Sequence, residues 1–133
     1  MKNHIKGLAH IGVYTNDINK SIDFYKKLGF ALDREDTVPT EPPIRLAFLS
    51  AGTCLVELVE QHNPLQRNHG FVDHFAVVVD DIDAAVASAN ANGINIDANT
   101  IMDVDILGGV RNVFFTGPSG EKLEFFQYGG SKA

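Results

Sequence analysis

Apolar and polar residues alternate along two stretches of the chain. From Gly7 to Thr15, Ala9, Ile11 and Val13 share one side of an extended strand, while Leu8, His10, Gly12 and Tyr14 share the other. From Val72 to Val79, Phe75, Val77 and Val79 form the apolar side and His74 points away. Each strand is followed by a change of period. Ile18, Ile22, Tyr25 and Leu28 recur at helical spacing, widened by Phe24, and predict a helix from Asp17 to Leu28. Asn16 or Asp17 caps its amide end and Gly29 suits a left-handed stop. Ile82, Val86 and Ala89 predict a second helix from Asp83 to Asn92, stopped by Gly93.

Alternation then resumes. Phe30 to Leu32 begins a short strand, and the acidic, proline-bearing stretch Asp33 to Pro43 is expected as a loop or broken edge. Ile44 to Leu49 and Thr53 to Glu60 make a hairpin around Ala51-Gly52. In the second half Ile94 to Ile96 is a short strand, and Val110 to Thr116 and Glu121 to Gln127 flank the turn Gly117-Pro118-Ser119-Gly120. Asn99 to Gly109 is a longer connection expected as a flap, and Gly129 to Ala133 a frayed tail.

The halves align. His10 to Ile18 lies over His74 to Ile82 without a gap, Arg45 to Ser50 over Arg111 to Thr116, and Leu55-Val56-Glu57-Leu58 over Lys122-Leu123-Glu124-Phe125. The offset is 64 at the histidines and 67 at the glutamates. We read one domain over residues 1–133, built from module one at about 5–60, a polar linker at 61–70 and module two at about 71–128. The fold class is α+β: two βαβββ modules forming a curved mixed sheet, helices on the outer face and a cup on the inner one.

Composition narrows the partners. The 133 residues are 44% hydrophobic and 21% charged, an ordinary globular mix. No apolar run approaches the roughly 20 residues of a membrane helix. A formal net charge of −6 with scattered basic residues speaks against nucleic acid and anionic lipid. Cys54 is the sole cysteine, which excludes internal disulfides and four-cysteine zinc sites. Met1 to His10 lacks a signal-peptide hydrophobic stretch, so the expected location is cytoplasmic.

Alternation puts His10, Glu57, His74 and Glu124 on the face away from the helices. A lone strand histidine is usually structural and a lone strand glutamate usually solvated. Two of each, matched between repeats in a low-dielectric cup, call for a divalent cation to offset the charge. Two nitrogens and two oxygens suit Ni²⁺, Co²⁺ or Zn²⁺, with Fe²⁺ or Mn²⁺ also compatible.

The pieces Gly7-Leu8-Ala9-His10-Ile11-Gly12-Val13, Ser21-Ile22-Asp23-Phe24-Tyr25, Leu28-Gly29-Phe30, Val56-Glu57-Leu58, Asp73-His74-Phe75-Ala76, Val79-Asp80-Asp81-Ile82-Asp83 and Leu123-Glu124-Phe125-Phe126 resemble the vicinal oxygen chelate superfamily, most closely its short glyoxalase I-like members. The last turn, Gly117-Pro118-Ser119-Gly120, departs from the family's Asp-Pro-Asp-Gly. The resemblance implies a homodimer with metal ligands at His10, Glu57, His74 and Glu124. It implies a lyase that shifts a proton next to a carbonyl through a metal-stabilised enediolate, Glu124 acting as base and Glu57 as its pseudo-symmetric partner. The implied substrate is the hemithioacetal of a 2-oxoaldehyde such as methylglyoxal with glutathione or another thiol, a detoxification. Arg45, Arg111, Tyr14 and Phe126 are candidate substrate contacts. The alternatives are an epimerase or isomerase on another substrate such as an acyl-CoA, and a drug-binding antibiotic-resistance module of the same fold.

Overall fold

The computed structural model describes residues 8–65 and 72–129. Gly7, the second half of the predicted linker and most of the predicted tail lie outside them. The chain divides into two compact units, Met1–Leu65 and Gln66–Ala133.

Unit one runs β1 (Ile11–Thr15), α1 (Ile18–Leu28), β2 (Ala31–Val38), β3 (Ile44–Ala51) and β4 (Cys54–Glu60). Its sheet has the order β1-β4-β3-β2, with β1 and β4 parallel and the other pairs antiparallel. Unit two repeats this with β5 (Phe75–Val78), α2 (Ile82–Ala91), β6 (Met102–Val104), β7 (Val110–Thr116) and β8 (Lys122–Tyr128), in the order β5-β8-β7-β6. The strands thus make one four-stranded mixed sheet in each unit. This is the expected pair of βαβββ modules.

The apolar stripes decide which face each helix covers. Ile18, Ile22 and Tyr25 of α1 are buried along with Val13, Ala47, Leu49, Val56 and Leu58 of the strands. In unit two Ile82, Val86 and Ala89 of α2 are buried with Val113, Phe115, Leu123 and Phe125. Burying a large apolar side chain contributes about 1.5–3 kcal/mol, so each unit carries its own core. Asp17 caps α1 by accepting from the Lys20 N–H at 3.1 Å, and Asp81 caps α2 by accepting from the Ala84 N–H at 3.1 Å. Gly29 ends α1 at φ 116°, a conformation that disfavours side chains. At the start of α2, Gln127 Oε1 accepts from the Ile82 N–H at 2.8 Å, tying the helix to β8.

Three local expectations change. Residues 33–38 are not loop: they continue β2, the outer strand of its sheet, with a register shift between Leu32 and Arg34. Charged side chains on an outer strand blunt further pairing, which is why the stretch reads as a loop from composition. Ile94 to Ile96 is not a strand. Both isoleucines are buried, and the Asn90 side chain holds Ile96 at both its N–H and its C=O. The predicted flap at Asn99–Gly109 contributes β6 and then turns through Leu107, Gly108 and Gly109, all at positive φ.

Candidate functional site

Register brings each predicted histidine to its predicted glutamate. His10 immediately precedes β1, and β1 pairs in parallel with β4, placing Gly12 opposite Glu57. Residues two apart on an extended chain face the same side. The His10 imidazole therefore reaches across, and its Nε2 lies 3.3 Å from Glu57 Oε1. In unit two the same register places Ala76 opposite Glu124, and His74 Nε2 lies 3.1 Å from Glu124 Oε1. Both sit on the sheet face away from the helix, as alternation required. Among the described residues no three of His, Cys, Asp and Glu gather as a metal-binding group. The expected set of four is thus present as two pairs, one in each unit.

Their surroundings differ. Glu124 is nearly buried, its side chain 6% exposed against 20% for Glu57. Asn112 on β7 donates its Nδ2–H to Glu124 Oε2 at 2.8 Å. His74 Nδ1 meets Asp73 Oδ2 at 2.8 Å, and Lys122 Nζ donates to the same oxygen at 3.1 Å. The Lys122 ammonium also sits 4.6 Å above the Phe114 ring, which His74 meets edge-on at 5.3 Å. At the matching places unit one has Ala9 for Asp73, Leu46 for Asn112 and Leu55 for Lys122.

This geometry bears on cation binding. A neutral imidazole has one N–H. When His74 gives that hydrogen to Asp73, its Nε2 presents a lone pair toward a carboxylate oxygen. A nitrogen and an oxygen lone pair facing each other fit a divalent cation, and a carboxylate on the other ring nitrogen is the usual orienting partner of a metal-bound histidine. The donor chemistry therefore fits the predicted ion.

Tyr14 is exposed and shares its face with Gly12 and His10. Phe126 is half-buried on the Glu124 face, its ring 5.0 Å from that of Tyr128. Arg45 and Arg111 lie elsewhere. Arg45 donates to Asn19 of α1 and Glu35 of β2 at 3.1 and 3.0 Å. Arg111 donates to Asp83 of α2 and Asp103 of β6 at 2.7 and 3.0 Å. Each side chain emerges on the helix-bearing face, level with buried Ala47 and Leu49 or with Val113 and Phe115. The two arginines are repeat-equivalent braces from a central strand to its helix and outer strand, on the face opposite the His–Glu pairs rather than at the expected substrate contacts. The Asp83 hydrogen bond raises the Arg111 pKa above its ordinary value against the smaller effect of burial. Burial pushes the Cys54 thiol up, consistent with a packing residue rather than a nucleophile.

Asp73, Asn112 and Lys122 escaped sequence reasoning. Asn112 left a signal: it aligns with Leu46, a polar residue where the other repeat is apolar.

Comparison with known proteins agrees with this fold. The model of the Glyoxalase/Bleomycin resistance protein/Dioxygenase superfamily matches residues 7–125. The uncharacterized protein YwbC of Bacillus subtilis strain 168 is 34% identical over 129 residues, covering 92% of this chain and 98% of the relative. A crystal structure of a glyoxalase family protein from Enterococcus faecalis superposes with TM-score 0.75 at 25% identity, covering 91% of this chain and 97% of that one. The fosfomycin resistance protein FosX of Listeria monocytogenes, solved with Mn(II) and sulfate, shares the fold with TM-score 0.69 at 17% identity, covering 92% and 93%.

Proposed function

The chain belongs to the Glyoxalase/Bleomycin resistance protein/Dioxygenase superfamily, and from that premise we propose that it is a metal-dependent enzyme of the glyoxalase I type. The observation that carries the reading is the His–Glu contact made twice, at repeat-equivalent positions, with one carboxylate nearly buried. His10 and His74 would hold the ion through imidazole nitrogens, Glu57 and Glu124 through carboxylate oxygens. When bound, the ion supplies positive charge opposite the substrate oxygens. Ni²⁺, Co²⁺ and Zn²⁺ are the candidates.

The remaining work falls to the protein. Glu124, shielded from water and held by Asn112, accepts a proton from the hydroxyl-bearing carbon and returns it to the neighbouring carbonyl carbon, while the hydroxyl proton passes to the former carbonyl oxygen. No atom is lost, so the reaction is an isomerisation of the bound adduct. The substrate class is a 2-oxoaldehyde joined to a thiol as a hemithioacetal, and the product is a 2-hydroxyacyl thioester. Tyr14 and Phe126, beside the two pairs, offer apolar contact to such a substrate. A homodimer is the assembly this reading expects, which sedimentation checks.

Dialysis against Ni²⁺, Co²⁺ and Zn²⁺, followed by an ultraviolet thioester assay with methylglyoxal and several thiols, tests the proposal. Metal uptake with thioester formation is expected. Uptake without reaction on any thiol adduct would overturn the lyase assignment, and consumption of fosfomycin in its place would move the protein to drug modification.

A further inference from the structure

Asn112 is buried on β7, on the same sheet face as Glu124. Its Nδ2–H donates to Glu124 Oε2, while its own Oδ1 is buried with no hydrogen-bond partner among the described residues. A buried acceptor left unpaired is a standing cost to the fold. The equivalent place in unit one is Leu46, which carries no such cost and shows that an apolar residue suits this strand. Something must offset an amide here, and among the described residues the Glu124 carboxylate takes its hydrogen bond.

We propose that Asn112 is a positioning residue that sets which oxygen of Glu124 does the work. The amide occupies Oε2, so the carboxylate cannot turn freely and Oε1 stays directed at His74, 3.1 Å from Nε2. Oε1 is thereby the single oxygen offered toward the ion and the substrate. Glu57 has Leu46 and Leu55 at the corresponding places, so its carboxylate lacks this amide lock. The inference rests on the metal-dependent reading above.

The test is a Co²⁺ titration of the full chain, followed by visible absorption, for wild type, Asn112→Leu and Leu46→Asn. Asn112→Leu is expected to weaken Co²⁺ binding about 10–100-fold and to change the Co²⁺ spectrum, because the ligand loses its orienting partner. Leu46→Asn is expected to leave the spectrum nearer to wild type. An Asn112→Leu protein that unfolds at a lower temperature yet binds Co²⁺ with wild-type affinity and spectrum would show a purely structural asparagine and overturn the proposal. A second readout needs no variant. The Asn112 side-chain amide resonance of the wild-type protein should move on adding Zn²⁺, and a resonance unmoved by saturating Zn²⁺ would overturn it equally. Wild-type protein that takes up neither Co²⁺ nor Zn²⁺ would bring down the metal reading itself, a result distinct from a silent Asn112→Leu.

Discussion

The two His–Glu pairs share a register and a phenylalanine opposite the glutamate, Phe48 or Phe114, but differ in other neighbours. In unit one, His10 and Glu57 meet beside Leu46 and Leu55, with Ala9 preceding the histidine. In unit two, His74 and Glu124 are enclosed by Asp73, Asn112 and Lys122. The backbone register keeps the pair, and the side chains one strand away decide how firmly it is held. A nearly buried carboxylate with one oxygen held by an amide has less freedom to turn, whereas a more exposed one without that amide can adjust.

The largest expected effect separates the two glutamates. Glu124→Gln should cut turnover by about 10²–10⁴-fold while weakening metal uptake only in part. Glu57→Gln should cost less in turnover. Equal losses would erase the distinction between the units, and full activity in Glu124→Gln would remove that residue as the base.

Next comes the histidine partner. Asp73→Ala frees the His74 ring to turn, and metal affinity measured by dialysis should fall about tenfold. No change would mean that the exposed aspartate does not orient the ring.

The arginine braces give a smaller, structural contrast. Arg111 holds two carboxylates and is less exposed than Arg45, which holds an amide oxygen and one carboxylate. Arg111→Ala should cost about 1 kcal/mol in denaturant unfolding and Arg45→Ala about half that, with metal affinity unchanged in both. A loss of metal binding in either variant would place that arginine at the site after all.

Cys54 gives the smallest effect. With the thiol pushed up by burial, less of it is thiolate at neutral pH, so alkylation should be slower than that of a free thiol and should quicken as pH rises. Rapid labelling at neutral pH would contradict the packing role.

Alternation carried much of this structure. It sorted Val13 inward and Tyr14 outward, and it put both histidines opposite the helix-bearing faces. Helix ends were readable where Asp17, Gly29 and Gly93 act through local backbone geometry, whereas the Asp81 cap of α2 went unread. It failed where partners come from afar. Residues 33–38 look like a loop because nothing in their own composition reveals that β3 supplies their hydrogen bonds. Ile94 and Ile96 mimic a strand, and only the Asn90 side chain explains why they need no neighbour. Asp73 stayed hidden because adjacent residues on a strand face opposite sides. It reaches His74 since both precede the first paired residue of β5, where regular pleating has not begun.

On the metal-dependent reading, His10, Glu57, His74 and Glu124 are ligands of a divalent ion. Equilibrium dialysis with Co²⁺ on wild type, His10→Ala and His74→Ala tests it most directly. One ion per chain is expected in the wild type, with tight binding lost in both variants. Uptake in His10→Ala or His74→Ala equal to wild type, or no uptake by the wild type, would contradict it.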